Sequence, residues 1–519
     1  MDVDQNTTLR STKTTWVLQT QLDILYAIFE TLIEEHEDLR LSVLQHGSQV
    51  CTLWRGLLLS SPSLWARSLN FDVLMAKPSW RDEVIRRSGE SFAYVTRLGI
   101  HGPRLFDRKD ELFLGSFILE NWKRVKSLKI ILPSESVISN LFDISLLQSP
   151  HSHLEELEVY QDSICLSDGG SSTRRVFYPI VEPATWKADF GGYAPRLRRY
   201  STVKSFQFPY GASWLAHLRE LQVTMVACFI PNVLDGLRNM KHLEHLRLTL
   251  VGVCTADPEA RAGMTNMVLP RLKCLEVNAI GNTPESVDLV NYIKPAPGCV
   301  MYVVIGYRNL LSASDISSIV LALPAFPWND GEGRRDGKAS IEVHGSSLNI
   351  GCLTGGHRFL LQGPFEGNLW TPCLQRFAAS PSYFLDAKDV ELILGKEVVD
   401  SIPPADNILA RILSNMTPRT SFSTDWTTFS LLRRLSINDE LNSDFRKALL
   451  ALRDLSIRGT QADVNDTEAW VYNVAPAASS TFIPIRIFSV YWHAEDSDDM
   501  RIWRLWIGEN SEIHTFRYS

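Results

Sequence analysis

Apolar residues recur three and four positions apart at Leu22, Leu25, Ile28, Phe29, Leu32 and Ile33. That is the spacing of one buried helical face. Val50, Leu53, Trp54, Leu57 and Leu58 repeat it, and Pro62 interrupts the chain before Leu64 and Trp65. The pattern predicts about three short helices over residues 16–70, a unit too small for a large core of its own. Beyond it the period changes to apolar, two variable, apolar, one variable, apolar. Copies read Val95-x-x-Leu98-x-Ile100, Val125-x-x-Leu128-x-Ile130, Leu154-x-x-Leu157-x-Val159 and Leu218-x-x-Leu221-x-Val223. Leu243-x-x-Leu246-x-Leu248 and Leu272-x-x-Leu275-x-Val277 follow, and Leu432-x-x-Leu435-x-Ile437, Leu452-x-x-Leu455-x-Ile457 and Ile485-x-x-Phe488-x-Val490 come late. The closing pair of each copy alternates at period two, which predicts a short strand with one buried side. Helix-like segments lie between copies, at Ile230 to Met240 and at Phe445 to Leu452.

Successive copies stand roughly 20–30 residues apart, the range of leucine-rich repeats. One such unit cannot bury its strand alone, whereas stacked units share a continuous core. The expected fold is therefore α/β: a small helical unit followed by an irregular leucine-rich-repeat solenoid, or horseshoe. The expected divisions are a disordered segment 1–15, a helical module 16–70 and a repeat domain 71–519 with long insertions. Residues 297–430 match the pattern only loosely.

The series Val50-Cys51-x-x-Trp54-Arg55, then Ser61-Pro62-x-Leu64-Trp65, then weak repeats, resembles the F-box-like proteins expanded in mushroom-forming fungi. The resemblance covers about fifty residues well and implies a module that docks on the Skp1 adaptor of a ubiquitin ligase. It makes Leu22, Asp23, Ile24, Leu25, Ile28, Phe29, Trp54 and Trp65 the candidate adaptor-binding residues. Packing within the module is the competing role for each. One departure stands out: the family's Leu-Pro opening is replaced by Thr20-Gln21-Leu22-Asp23.

A hydrophobic content of 45%, a charged content of 21% and a net charge of -7 describe an ordinary globular chain. They give no electrostatic footprint for nucleic acid or anionic membrane. No apolar run reaches the ~20 residues of a membrane span, and the acidic start has no signal-like core. The eight cysteines are scattered without a Cys-x-x-Cys pair, which points to reduced thiols in the cytoplasm or nucleus.

Strand positions facing away from the predicted core form the candidate substrate-binding strip. They are Glu156, Glu158, Tyr160, Glu220, Gln222, His245, Arg247, Glu276, Arg434 and Asp454. Such a strip offers polar complementarity to a protein partner, and an ordinary solvated surface is the alternative. The pairs His151/His153 and His242/His245 lack further ligands at metal spacing. Gly337-Lys338-Ala339 lacks both the earlier glycine and the hydroxyl of a phosphate loop. No nucleophile elbow or zinc-protease motif occurs, so no catalytic residue, metal or cofactor is expected. Trp492, Trp503 and Trp506 are expected to cap the last repeat. The preferred expectation is a non-enzymatic substrate receptor of an SCF-type ubiquitin ligase, with a Skp1-like adaptor and an unknown protein substrate as partners. The alternative is a repeat scaffold for protein–protein contacts without adaptor docking.

Overall fold

The computed structural model describes residues 21–97, 108–132, 144–161, 186–202, 206–207, 209–226, 230–251, 266–280, 289, 292–296, 299–306, 337–344, 347–352, 357–362, 374–375, 387–395, 412, 421–425, 427–430, 454–458, 487–493, 500–507 and 513–518. The protein is a mixed α/β chain with extensive parallel strand pairing. It divides into two compact units. The first comprises Met1–Val223 with Asp235–Leu243, and the second comprises Thr224–Leu234 with Glu244–Ser519. The boundary expected at residue 70 falls inside the first unit.

The first unit opens with helix α1 over residues 21–35, followed by α2 (Arg40–Val50), α3 (Thr52–Leu59) and α4 (Pro62–Ala66). Their starts follow ordinary local chemistry. Cys51 caps α3, its sulfur accepting from the Trp54 amide at 3.5 Å. Pro62 occupies the first turn of α4, where its missing N–H costs nothing. Phe29, Ile33, Leu44, Leu58, Leu64 and Trp65 form the interior. Trp65 donates its indole N–H to the Leu58 carbonyl at 2.8 Å, so its polar edge is satisfied in the core.

The chain then enters β1 (Leu69–Asn70), α5 (Phe71–Leu74), α6 (Pro78–Ser88) and β2 (Ala93–Arg97). Next come α7 (Arg108–Asn121), β3 (Val125–Leu132) and β4 (Glu156–Gln161). Strands β1 to β4 pair in parallel in chain order, and strands Arg199–Thr202 and Glu220–Val226 extend the series. One apolar row runs through all of them: Leu69, Val95, Leu128, Leu157, Tyr200 and Leu221 are in register and all are buried. The entries to the strands are linked as regularly. The Glu155 amide donates to the Lys126 carbonyl, the Arg198 amide to Glu155 and the Arg219 amide to Arg198, each at 2.8 Å. Each copy thereby satisfies backbone groups of the one before it.

In the second unit, strands His245–Val251, Cys274–Ile280 and Val300–Gly306 pair in parallel, with Leu246, Leu275 and Met301 in one buried row. Strand His357–Gln362 follows in parallel, then Ser347–Cys352 and Gly337–His344 by antiparallel pairing. Strands Ala387–Leu394, Ser421–Asp425, Asp454–Arg458 and Ile487–His493 resume the parallel order. Antiparallel strands Met500–Ile507 and Ile513–Tyr518 follow. The helix expected over Ile230 to Met240 forms over Ile230–Leu237, with Val233, Leu234 and Leu237 buried, and the division between the units falls within it.

Three expectations need correction. The first predicted strand was centred on Leu98, but in β2 it is Val95 that takes the register position of Leu128. Leu98 itself lies outside the described residues, as do Leu435 and the predicted helix 445–452. The strands at Leu69, Tyr200, Met301 and Phe422 were not anticipated. The last three break the pattern at its other positions: Thr202 and Thr424 stand where the closing apolar residue is expected, and Gly298 and Arg419 where the opening one is. Val50 and Leu53, assigned to a buried face, are 62% and 41% exposed.

Two glycines in the helical segment report on its packing in opposite ways. A Cβ at Gly47 would sit 2.8 Å from the Phe29 ring and 3.0 Å from Leu58, whereas Gly56 has open space around it. Gly47→Ala should lower stability, because overpacking costs ~1–3 kcal/mol against a helix-propensity gain of ~1. Gly56→Ala should raise stability by roughly 0.5–1 kcal/mol. Thermal melts of the two variants check the contrast; shifts of the same sign would contradict this packing.

Candidate functional site

Two surfaces of the first unit carry most of the residues singled out from the sequence. The helical segment is one. Ile24 is 56% and Ile28 48% exposed, one turn apart on α1. Asp23 is exposed, and Leu22, Leu25 and Trp54 are half-buried. Phe29 and Trp65 are 3% and 0% exposed, so their roles here are internal. Phe29 meets Trp54 edge-on at 5.2 Å, and the Arg87 guanidinium covers the Trp65 ring at 4.7 Å. Leu39, Val50, Leu53 and Leu59 were not among the candidates, yet all four are more than two-fifths exposed. Only an all-round view of the helices identifies them, because helical spacing alone does not say which of two apolar sides faces the core.

The second surface is the polar side of the parallel strands. Side chains alternate across a strand, so the residues flanking the buried row share the opposite side. One polar row reads Tyr94, Ser127, Glu156, Arg199 and Glu220; the next reads Thr96, Lys129, Glu158, Ser201 and Gln222. Neighbours in such rows stand about 4.8 Å apart, close enough for charges to pair directly.

They do pair. Arg199 holds Glu220 through two bonds, Nε to Oε2 at 2.6 Å and Nη2 to Oε1 at 2.9 Å. Its Nη1 donates to Glu158 at 3.3 Å and to Glu156 at 3.5 Å. Lys129 Nζ lies 3.2 Å from Glu37 Oε1 and 3.8 Å from both Glu156 and Glu158. Ser127 donates to Glu156 at 2.8 Å. The Glu220 hydrogen bonds, ahead of the opposing effect of burial, raise the Arg199 pKa above its already high ordinary value. Ser201 differs: it is 3% exposed and its hydroxyl oxygen has no hydrogen-bond partner.

Lys129, Arg199 and Ser201 were missed from the sequence, although Lys129 lies at the alternate position of a recognised copy. Arg199 and Ser201 flank Tyr200, in a copy whose closing apolar position is taken by Thr202. Glu158 was expected on a solvated surface, but it is 8% exposed between Lys129 and Arg199. Tyr160 lies in β4. Gln222 is half-buried in its row.

In the second unit, Arg247 and Glu276 are in register and joined by an Nε to Oε2 contact of 2.6 Å. Asn278 donates to the other Glu276 oxygen at 2.8 Å. His245 is exposed two positions before Arg247 on the same strand. Burial, reinforced by Glu276, raises the pKa of the adjacent Cys274 thiol, which disfavours a reactive thiolate. Asp454 begins a strand, and Arg434 lies outside the described residues. The candidate strip is thus distributed over separate groups, with Glu156, Glu158 and Glu220 brought together and Arg247 paired with Glu276.

Of the histidine pairs, the first contains a buried structural ring. His151 is 2% exposed. Its Nδ1 accepts from the amides of His153 at 3.2 Å and Leu154 at 2.9 Å, and its Nε2 donates to the Trp122 carbonyl at 2.7 Å. The ring therefore ties the turn entering β4 to the end of α7's extension at Trp122, an assignment that fixes the proton on Nε2. His242 and His245 are exposed. Among the described residues no group of three or more His, Cys, Asp or Glu could hold a metal ion. No helix among them is long and apolar enough to cross a membrane. Compared with known proteins, the chain matches no protein-family model and no curated protein.

Glu158→Ala should cost roughly 1–3 kcal/mol, since it strips a buried carboxylate from two cations, while Arg247→Ala should cost about 0.5 kcal/mol or less because its pair is exposed. Denaturant melts of both variants test the difference, and equal losses would mean that the polar side is misplaced.

Burial depresses the His151 pKa below its ordinary 6.5, so the folded state favours the neutral ring. The unfolded chain then binds the extra proton first as pH falls. The contribution is complete above about pH 6.5 and is lost as pH drops through the depressed folded-state value. The melting temperature should fall between pH 7.5 and 5.5 more steeply in the native chain than in His151→Gln; parallel curves would remove His151 from this role.

Proposed function

We propose that the protein is a non-enzymatic substrate receptor of an SCF-type ubiquitin ligase, in which the helical segment docks a Skp1-like adaptor and an irregular leucine-rich-repeat solenoid presents its polar strand surface to a protein substrate. One observation carries the adaptor half of the reading. Ile24, Ile28, Leu39, Val50, Leu53 and Leu59 are exposed within thirty-six residues, while the segment retains its own buried core. Large apolar side chains concentrated at a surface mark sites of macromolecular contact. The resemblance of Cys51, Trp54, Arg55, Leu64 and Trp65 in the same segment to F-box-like proteins is what points to a Skp1-like occupant. The parallel rows in common register support the repeat half, and the protein's role would be to position rather than to transform its substrate.

A repeat scaffold without adaptor docking is the competing reading. It is favoured by Thr20-Gln21 standing where the family opens its first helix with Leu-Pro.

Ile24→Asp with Ile28→Asp discriminates between these readings because both positions are exposed. The double variant should retain the native melting temperature to within a few degrees, yet lose at least tenfold in affinity for a Skp1-like adaptor by calorimetry. A native chain with no measurable affinity for such adaptors would leave the scaffold reading in place.

A further inference from the structure

The residues that lead into the strands of the first unit form a column of their own. Lys126, Glu155, Arg198 and Arg219 stand one position before the row Ser127, Glu156, Arg199 and Glu220, and their backbones are linked from each copy to the next. Where the column sets opposite charges side by side, they close on each other: Lys126 reaches Glu155 at 3.1 Å. Glu244 and Lys273, linked in the same way in the second unit, do so at 2.5 Å. Arg198 and Arg219 break this rule. They are like charges on adjacent strands, about 4.8 Å apart, and like charges set opposite each other are destabilising. Both are exposed, as is Arg196 two residues before Arg198. Among the described residues none of the three arginines has an acidic partner. Arg198 is nonetheless held in place. Its Nη1 donates to the His217 carbonyl at 3.1 Å and to the Pro195 carbonyl at 3.5 Å, which leaves the other guanidinium nitrogens without a bond among the described residues. Tyr193, 54% exposed, lies three residues before Arg196, with its carbonyl accepting from the His151 amide at 2.9 Å. Exposed tyrosine beside exposed arginine is the composition of contact surfaces.

We infer that this strand-entry edge of the first unit binds an acidic peptide segment, whose carboxylates bridge Arg198 and Arg219 and reach Arg196. The inference goes beyond the receptor reading, because the edge is neither the apolar surface of the helices nor the polar side of the strands. A bridging carboxylate turns the repulsion between Arg198 and Arg219 into two attractions, and each guanidinium fork can take both of its oxygens. The charge around the edge selects a short acidic segment over a nucleic acid. The chain as a whole carries a net charge of -7, and Glu155 and Glu220 adjoin the arginines in sequence and in register. Such surroundings repel a continuous phosphate backbone, whereas a few carboxylates feel mainly the cations within one screening length, about 10 Å.

The test uses the full chain and three fluorescein-labelled probes: a peptide of alternating Glu and Ser, a peptide of alternating Lys and Ser, and an oligothymidylate, each of about twelve units. Fluorescence anisotropy is followed at low and moderate salt. The acidic peptide should bind, weaken as salt rises, and lose about tenfold in affinity with Arg196→Gln or Arg219→Gln, the scale of one charge-assisted bond. Arg86→Gln, in α6 and paired with Glu83, should leave binding unchanged. Arg219→Glu is the sharper variant. It gives Arg198 an opposite charge on the adjacent strand, so it should keep or raise the melting temperature while abolishing peptide binding. No binding of the acidic peptide, equal binding of the basic one, tighter binding of the oligonucleotide, an equal loss in Arg86→Gln, or an Arg219→Glu variant that is destabilised or still binds would each overturn the proposal. Adaptor affinity, measured on the same preparation, bears on the receptor reading alone.

Discussion

A short parallel strand has one apolar side, and in the first unit that side is hidden only if the neighbouring strands present theirs at the same height. The row from Leu69 through Val95, Leu128, Leu157 and Tyr200 to Leu221 meets this condition. A slip of one residue in any strand would exchange the two sides. At β4 it would drive Glu158 into the interior and lift Leu157 out; at the next strand it would do the same to Ser201 and Tyr200. Burying a carboxylate away from its partners costs several kcal/mol, a large share of the stability of any ordinary domain. The hydrophobic row therefore fixes the register, and the register fixes everything on the opposite side.

The polar rows follow from that. Lys129 is held beside Glu158 by strand pairing and not by any affinity of its own flexible stem. The same is true of Arg199, which comes to lie between Glu156 and Glu220 because Tyr200 is locked between Leu157 and Leu221. Pre-positioning lowers the entropy that exposed ion pairs must otherwise lose, which explains how one arginine engages three carboxylates. It also explains why Ser201 can remain unpaired. The backbone holds it in the row whether or not its hydroxyl has found a donor.

The parts legible in the sequence were those with a repeating local signal. Leu128, Leu157, Leu221, Leu246, Leu275 and Leu455 all head strands that pair in parallel, as their alternation implied. The helix at Ile230–Leu237 was equally plain. Strands with Tyr200, Met301 or Phe422 in the leading position were hidden because a flanking pattern position is polar or glycine, at Thr202, Gly298, Arg419 and Thr424, and strand pairing tolerates such residues where a letter pattern does not. The antiparallel pairing of Ser347–Cys352 was hidden for a different reason. It depends on which strand lies next in space, and no local period encodes that. For the candidate surfaces, alternation placed Glu156, Glu158 and Glu220 on one side correctly. It gave no information about depth, so Glu158 was taken for a solvated residue and Ser201 was passed over.

The helical segment is part of the same hydrophobic body as the strands of the first unit. Its last helix runs through Trp65 into β1, and Leu69 is the first member of the buried row. Polar contacts reinforce the junction. Arg67 reaches Glu30 at 2.8 Å and Glu34 at 2.7 Å, lies 5.7 Å from the centre of the Tyr94 ring, and its carbonyl accepts from Arg40. Glu37 reaches across 92 positions to Lys129. Exposed ion pairs of this kind contribute little individually, so the shared core must supply most of the rigidity. Cutting the chain after residue 70 would remove Leu69 from its place against Val95 and expose an apolar edge. The exposed isoleucines of α1 and the polar rows around Arg199 consequently belong to one compact unit with a shared apolar core.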